Sequence, residues 1–356
     1  MKRMLFLLVW LGVGALSSTK CAQPSASPAA SPPVAPRGVH MFVSHQGLPV
    51  TSQLDARALD LPFVQGVVLY STWRELEPEP GRYDWTRFDE AIRQAKARGK
   101  HVSLGVVTAM HAPEWLYAGP DPVPAMTYEK EVSEPGTGRQ RVAFRVPVPW
   151  SAAFERRWFS LVRALGQRYD GEPAVEYVTI SGPGSSGIAM VLPPDATNEA
   201  TLRAAGFTPE VLISAWQRTI DAFDTAFQRK PLLLAPALVF RNPQPALAVL
   251  RYGRQRLGLQ LLAATQHLNG ADFAQTGPIR EVDEAMRADA QAAGTRFGLQ
   301  LFGITSRANG RAGSLTQALA EGEAFGAGWL EVWQVDVLDS ASAPLLGATN
   351  ARLLAR

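Results

Sequence analysis

Residues 66–107 read GVVLYSTWRELEPEPGRYDWTRFDEAIRQAKARGKHVSLGVV. An apolar, β-branched run (66–71) passes through a turn-rich stretch around Pro78 to Gly81 into an amphipathic segment from Trp85 to Arg98. A second apolar run, His101 to Val107, follows it. The hydrophobic period changes from 2 to 3.6 and back, which is strand, helix, strand, the unit of a parallel sheet with a crossover helix.

The same rhythm extends in both directions. VHMFVS (39–44) precedes it; VEYVTIS (175–181), PLLLAPAL (231–238), LGLQLLAAT (257–265), FGLQLFGIT (297–305) and GWLEVWQVD (328–336) follow. Helical spacing recurs over Ala153–Tyr169, Pro209–Phe227, Pro243–Tyr252, Arg280–Ala293 and Leu315–Phe325, whereas the first crossover, Leu54 to Leu61, is short and weakly helical. Eight strand-like runs with helices between them predict an α/β fold, a (β/α)8 TIM barrel over residues 38–356. An open doubly wound sheet shares this alternation but places a glycine-rich turn directly before a helix. Gly182, Gly184 and Gly187 do spell GxGxxG, yet the residues after them read as loop, and Ser185 and Ser186 lack the glycine spacing of a nucleophile elbow.

Outward from the barrel, Lys2 and Arg3 precede the apolar run Leu5 to Leu16, too short to span a bilayer and suited to a signal peptide over residues 1–21. Residues 22–37, rich in Pro, Ser and Ala, read as an extended linker. The protein is therefore expected to be exported. Cys21 is the single cysteine. It is a candidate for lipidation, although Lys20 stands where a lipoprotein signal wants a small residue; Ala15 and Ser17 offer ordinary cleavage instead. Membrane contact is expected only through that anchor, since no later apolar run reaches spanning length.

One cysteine excludes an intrachain disulfide and a cysteine-based zinc site, and the five histidines show no HExxH spacing, so neither metal nor cofactor is expected. Lys plus Arg total 35 against 32 Asp plus Glu, a net charge of +3 without a basic stripe, which argues against a nucleic-acid partner. At 46% hydrophobic and 19% charged, the chain can bury a sizeable core.

In a barrel of this kind, chemistry sits at the C-terminal ends of the strands. After the second run come Trp73-Arg74-Glu75-Leu76-Glu77-Pro78 and then Gly81, Tyr83, Asp84, Trp85 and Asp89; after the third come His111, Pro113, Trp115 and Leu116. This W-x-x-L-E-P-x-x-G-x-Y-D-W-x-x-x-D pattern, followed by a P-x-W-L loop, resembles the first half of clan A glycoside hydrolases, especially family-42-type β-galactosidase barrels. The resemblance is specific from Gly66 to Leu116 and architectural elsewhere. It implies an open barrel face that holds a carbohydrate between aromatic rings, with carboxylates and amides on its hydroxyls.

Glycoside hydrolysis ordinarily uses two carboxyl groups, which the resemblance places at the ends of strands four and seven. Here those ends read Ser181-Gly182 and Gln300-Leu301-Phe302, without an acid. The remaining candidates for the catalytic carboxylates are Glu331 on strand eight, with Glu75 or Glu77 after strand two, or an acid of the 118–149 segment (Asp121, Glu129, Glu131, Glu134), an excursion over the barrel mouth. Alternation puts Trp329, Glu331 and Trp333 on one face. If that face points inward, Glu331 is a pocket carboxylate; the alternative is an internal salt bridge to an arginine such as Arg74. Candidate substrate contacts are Trp73, Arg74, His111, Trp115, Gln266 (with His267 and Asn269), Gln300, Trp333 and Asp336. The bland alternatives are that Tyr83 and Trp85 merely open a helix and that buried amides satisfy backbone groups.

Two functions fit these residues: an exported hydrolase acting on an oligo- or polysaccharide by carboxylate acid/base chemistry, or a degenerate barrel that binds carbohydrate at the cell surface without turnover. A scaffold for another envelope protein is a third, fold-only reading.

Overall fold

The computed structural model describes residues 35–44, 53–134, 138–185, 187–193, 195–273, 277–305 and 313–356. The expected leader, most of the linker and Cys21 lie outside them.

All eight predicted runs are strands of one closed barrel: β1 (Gly38–Val43), β2 (Val64–Thr72), β3 (His101–Val107), β6 (Val175–Thr179), β7 (Leu232–Leu234), β8 (Leu261–Leu268), β9 (Phe297–Leu301) and β10 (Trp329–Trp333). They are ordered β1-β10-β9-β8-β7-β6-β3-β2 and close on themselves through parallel pairs. The remaining strands, β4 (Ala125–Glu134) and β5 (Gly138–Pro147), form a separate antiparallel hairpin. Segment 118–149, expected as an excursion, is thus largely this hairpin. It buries Met126, Tyr128 and Val146 on one face while Glu129 pairs with Arg141 on the other.

The outer ring holds α2 (Thr86–Lys96), α3 (Ala152–Tyr169), α5 (Pro209–Ala226), α6 (Gln244–Leu257), α7 (Pro278–Ala293) and α8 (Leu315–Ala324), close to the periodicity bounds. Four helices are additions to that reading: α1 (Trp73–Leu76), α4 (Ala196–Ala204), α9 (Gln334–Leu338) and α10 (Ala343–Leu354). Several strands are also shorter than the apolar runs suggest; β9, for one, stops at Leu301. β7 stops at Leu234, and β10 stops at Trp333 because α9 begins there, so Asp336 sits on a helical turn rather than on strand eight.

Period-two alternation sorts each strand into two cores. One fills the barrel with Phe42, Val68, Tyr70, Val107, Tyr177, Leu233, Leu262, Ala264 and Trp329. The other lies between strands and helices and includes Trp158, Trp216 and Phe223. Large interior rings require small neighbours. Gly105 is in register with Tyr70, and a Cβ on Gly105 would fall 2.4 Å from that ring. Gly298 is in register with Trp329, and its Cβ would fall 2.1 Å from the indole.

The interior also holds a charge pair. Fully buried His40 of β1 sets Nε2 2.8 Å from Oε2 of Glu176 on β6. Burial works to lower the imidazole pKa, but the Glu176 carboxylate and, beyond it, Glu331 outweigh this and raise it above its ordinary value. A histidine raised on folding contributes stability that is complete below its unfolded pKa, about 6.5, and is lost as pH rises through the folded pKa. The melting-temperature advantage of the native protein over a Glu176→Gln variant is therefore expected to be largest at mildly acidic pH and to shrink as pH rises. Calorimetric scans in a pH series check this; a gap that widens with pH would contradict the assignment.

Candidate functional site

Inside the barrel, at the middle of β10, Glu331 is 1% exposed and accepts three hydrogen bonds: Tyr177 Oη at 2.6 Å, Gln300 Nε2 at 2.8 Å and Trp329 Nε1 at 3.1 Å. Alternation along β10 points it inward, as one of the two readings has it. Its partners are neutral donors, not arginine; the Arg74 guanidinium instead donates to the carbonyl of Met110. Burial, reinforced by the Glu331 charge, pushes the phenols of Tyr70 and Tyr177 up. Both stay protonated donors at any physiological pH. Tyr70 extends the network by accepting from Gln266 Nε2 at 3.1 Å.

Tyr70 and Tyr177 are the site residues that motif reading misses. Their signal in the sequence is position: both fall on the inward register of their strands.

Nearer to solvent, the rim carries two aromatic rings. Trp333, half-buried at the end of β10, donates from Nε1 to the Leu301 carbonyl at 2.8 Å and meets Phe42 edge-on at 4.8 Å. Phe302 follows β9 and is 50% exposed, an unusual state for a phenylalanine. His267, also half-buried, is held between Thr265 Oγ1 (2.5 Å) and Asp283 (2.9 Å). Asn269 closes a turn by accepting from the amides of Ala271 and Asp272, so its role is local.

The loop after β6 folds across this end. It is pinned by Gly182 N to the Gly187 carbonyl (2.6 Å) and Ser185 N to the Val191 carbonyl (2.8 Å), and it inserts Ile188, 1% exposed, into the barrel-interior core with Tyr70, Tyr177 and Trp329. Ser181, where an acid would close strand four, is fully buried and gives its carbonyl to Trp158 Nε1 at 2.9 Å.

The residues after β2 and β3 form a different assembly. Trp73 is 0% exposed and packs against Trp115, Phe154 and Trp158, so its faces are closed to a sugar ring. Glu77 accepts from Trp73 Nε1 and from the amide of Gly81, both at 2.8 Å, while its carbonyl accepts from Trp115 Nε1 at 2.9 Å. Burial raises its pKa, and the indole bond offsets part of the rise. Glu75 closes a capping box on Thr72 and accepts from Ser71 Oγ at 3.0 Å. These bonds shape the loop, and each carboxylate has local work. Half-buried His111 ends a 3-10 turn over Ala109–His111. Asp336, 1% exposed, accepts from the amide and hydroxyl of Thr305 at 3.0 and 2.9 Å and ties down the chain beyond β9. On segment 118–149, Asp121 pairs with Arg156 at the surface.

Thus the structure gathers Glu331, Gln300, Gln266 and Trp333 at one end of the barrel and places Trp73, Glu75, Glu77 and Asp336 in supporting roles around it. No group of three or more His, Cys, Asp or Glu side chains suited to a metal occurs among the described residues.

Comparison with known proteins bears on this geometry. The glycoside hydrolase family 42 profile, described as β-galactosidase, matches residues 51–183, from before β2 to the end of β6. A β-galactosidase of Thermus thermophilus is 39% identical over 103 residues, 29% of this chain and 15% of that protein. The β-galactosidase BgaA of a Thermus species is 33% identical over 147 residues, 40% of this chain and 22% of that protein. The matched stretches therefore span under a quarter of these relatives.

Among solved structures, the β-galactosidase of Marinomonas ef1 superposes with a TM-score of 0.55 at 13% identity, covering 89% of this chain and 59% of that one. Endo-glycoceramidase II from a Rhodococcus species gives 0.54 at 16%, covering 88% and 78%. The catalytic domain of a Paenibacillus polymyxa β-amylase gives 0.55 at 11%, covering 90% and 99%. These structural likenesses establish the fold; with the family match, the chain is a glycoside-hydrolase-like barrel.

Proposed function

We propose that this protein is an exported carbohydrate-binding barrel that keeps the sugar-facing end of a glycoside-hydrolase-like fold and does not use two-carboxylate hydrolysis. The observation that carries the reading is Glu331. Among the described residues, it is the carboxylate at the heart of the mouth network, and Tyr177, Gln300 and Trp329 already hold both of its oxygens. The strand ends that would supply a partner carry Ser181-Gly182 and Phe302. A Cβ on Gly182 would lie 3.0 Å from the Thr219 methyl, which leaves little room for an acid there. Binding asks less: a ring to stack on, from Phe302 and Trp333, and an amide for hydroxyls, from half-buried Gln266.

Export rests on Lys2, Arg3 and the apolar run Leu5–Leu16, and attachment to a membrane surface on acylation of Cys21. The related reading, hydrolysis with Glu331 as one carboxylate, is favoured by its inward position.

One experiment separates the two. The full chain is titrated with β-galactosides and β-glucosides by tryptophan fluorescence while turnover of the matching aryl glycosides is followed. Saturable binding without turnover is expected. Turnover that Glu331→Gln abolishes while binding persists would establish the hydrolase instead. Phe302→Ala and Trp333→Ala are each expected to weaken binding about tenfold, equivalent to ~1.4 kcal/mol; unchanged affinity in both would remove the mouth as the sugar platform.

A further inference from the structure

Among the described residues, the outer ring is thinnest at the first crossover. Between β1 and β2 the only described helix is a 3-10 turn, Ala56–Asp60, whereas α2 on the other flank of β2 has 11 residues. The gap over the outer face of β2 is a cavity of about 460 Å³, within the range of ~300–1,000 Å³ typical of small-ligand sites. It lies outside the barrel, on the opposite face of β2 from Tyr70.

Its chemistry is mixed. The floor is Leu69 and Ser71 of β2, and Leu54 and Ala91 add apolar wall. From α2, Arg87 lines it, with Nε and Nη2 anchored on the Tyr70 carbonyl at 3.2 and 3.1 Å. Two of the five guanidinium N–H groups account for those contacts. Three carboxylates, Glu75, Asp84 and Glu90, stand around it. Gln94 also lines the cavity; its Nε2 donates to Glu90 at 2.6 Å, while its buried Oε1 has no hydrogen-bond partner. A buried acceptor without a donor is an exception in folded proteins.

We propose that this cavity is a second binding site, separate from the barrel mouth, for a neutral polyhydroxylated molecule of mono- or disaccharide size. The carboxylates repel an anion such as phosphate, and the Arg87 guanidinium repels an ammonium group. A polyol suits both sets, since each hydroxyl donates to a carboxylate and accepts from Arg87. The apolar floor takes the carbon face of the ring. This site stands whether or not the mouth binds sugar.

The test is calorimetric titration of the full chain with D-galactose, D-glucose and lactose, repeated on Thr86→Trp and Gln94→Leu. Thr86 is exposed at the first turn of α2 and lines the cavity, so an indole there fills it from the solvent side without entering the core. Thr86→Trp is expected to weaken one binding component at least tenfold, with Gln94→Leu weakening it several-fold, at unchanged melting temperature. Phe302→Ala is expected to leave that component intact. The proposal is overturned if none of the three sugars shows a saturable component that Thr86→Trp removes, or if Phe302→Ala removes the same component. A mouth that fails to bind leaves this component in place, so the two readings fail separately.

Discussion

A Gly298→Val protein is expected to lose about 3 kcal/mol of stability or more, enough to lower the melting temperature of a domain this size by roughly 5 °C or more. The reason is geometric. The Trp329 indole lies across the Cα of Gly298, with two ring carbons 2.1 and 2.2 Å from where a Cβ would stand. Trp329 cannot retreat, because it is fully buried and its Nε1 is bonded to Glu331. A branched side chain must therefore push apart β9 and β10 or expel the indole from the barrel. Circular dichroism melts of Gly298→Ala and Gly298→Val should show a graded loss; two variants as stable as the native protein would mean that the indole is not where the structure has it.

The second large effect concerns Glu331. Glu331→Leu is expected to cost about 3–5 kcal/mol, because the substitution strands the Tyr177 hydroxyl, the Gln300 amide and the Trp329 indole, each worth ~1–3 kcal/mol when left buried without a partner. Relief of the carboxylate's own desolvation offsets part of this sum. Glu331→Gln keeps one acceptor oxygen for Tyr177 and Trp329, and the Gln300 amide can rotate to meet the new NH2. It is expected to lose only about 1 kcal/mol. Denaturant melts of the two variants provide the check. Equal losses would show that the three donors find other partners and that the network does not organise the mouth.

The barrel was legible because its evidence is periodic. Every strand shows the alternation or short apolar run of a buried parallel strand, and register follows once one face is filled. The mouth was legible in outline for the same reason, since Trp329, Glu331 and Trp333 share a parity that closure turns inward. Trp73 and Glu77 were harder. After a strand end they read as a substrate contact and a candidate catalytic carboxylate. Only the helix turn at Trp73–Leu76 and the cover from Phe154 and Trp158, about eighty residues away in sequence, turn them toward each other. Tyr70 and Tyr177 lacked any motif. Phe302 looked like one more strand residue until the short length of β9 left it outside in solvent.

Ile188 has a kinetic consequence. A molecule approaching Glu331 from the mouth meets the interior core that this side chain completes, so the state able to admit it is one in which the loop has withdrawn. The apparent dissociation constant for such a ligand equals the intrinsic one divided by the fraction of molecules in that state. Association would then be governed by how often the loop opens, levelling off as ligand concentration rises, whereas ligands that stop at Phe302 and Trp333 would arrive at the rate of diffusion and orientation alone. One end of the barrel would thus sort its visitors by arrival time as well as by affinity.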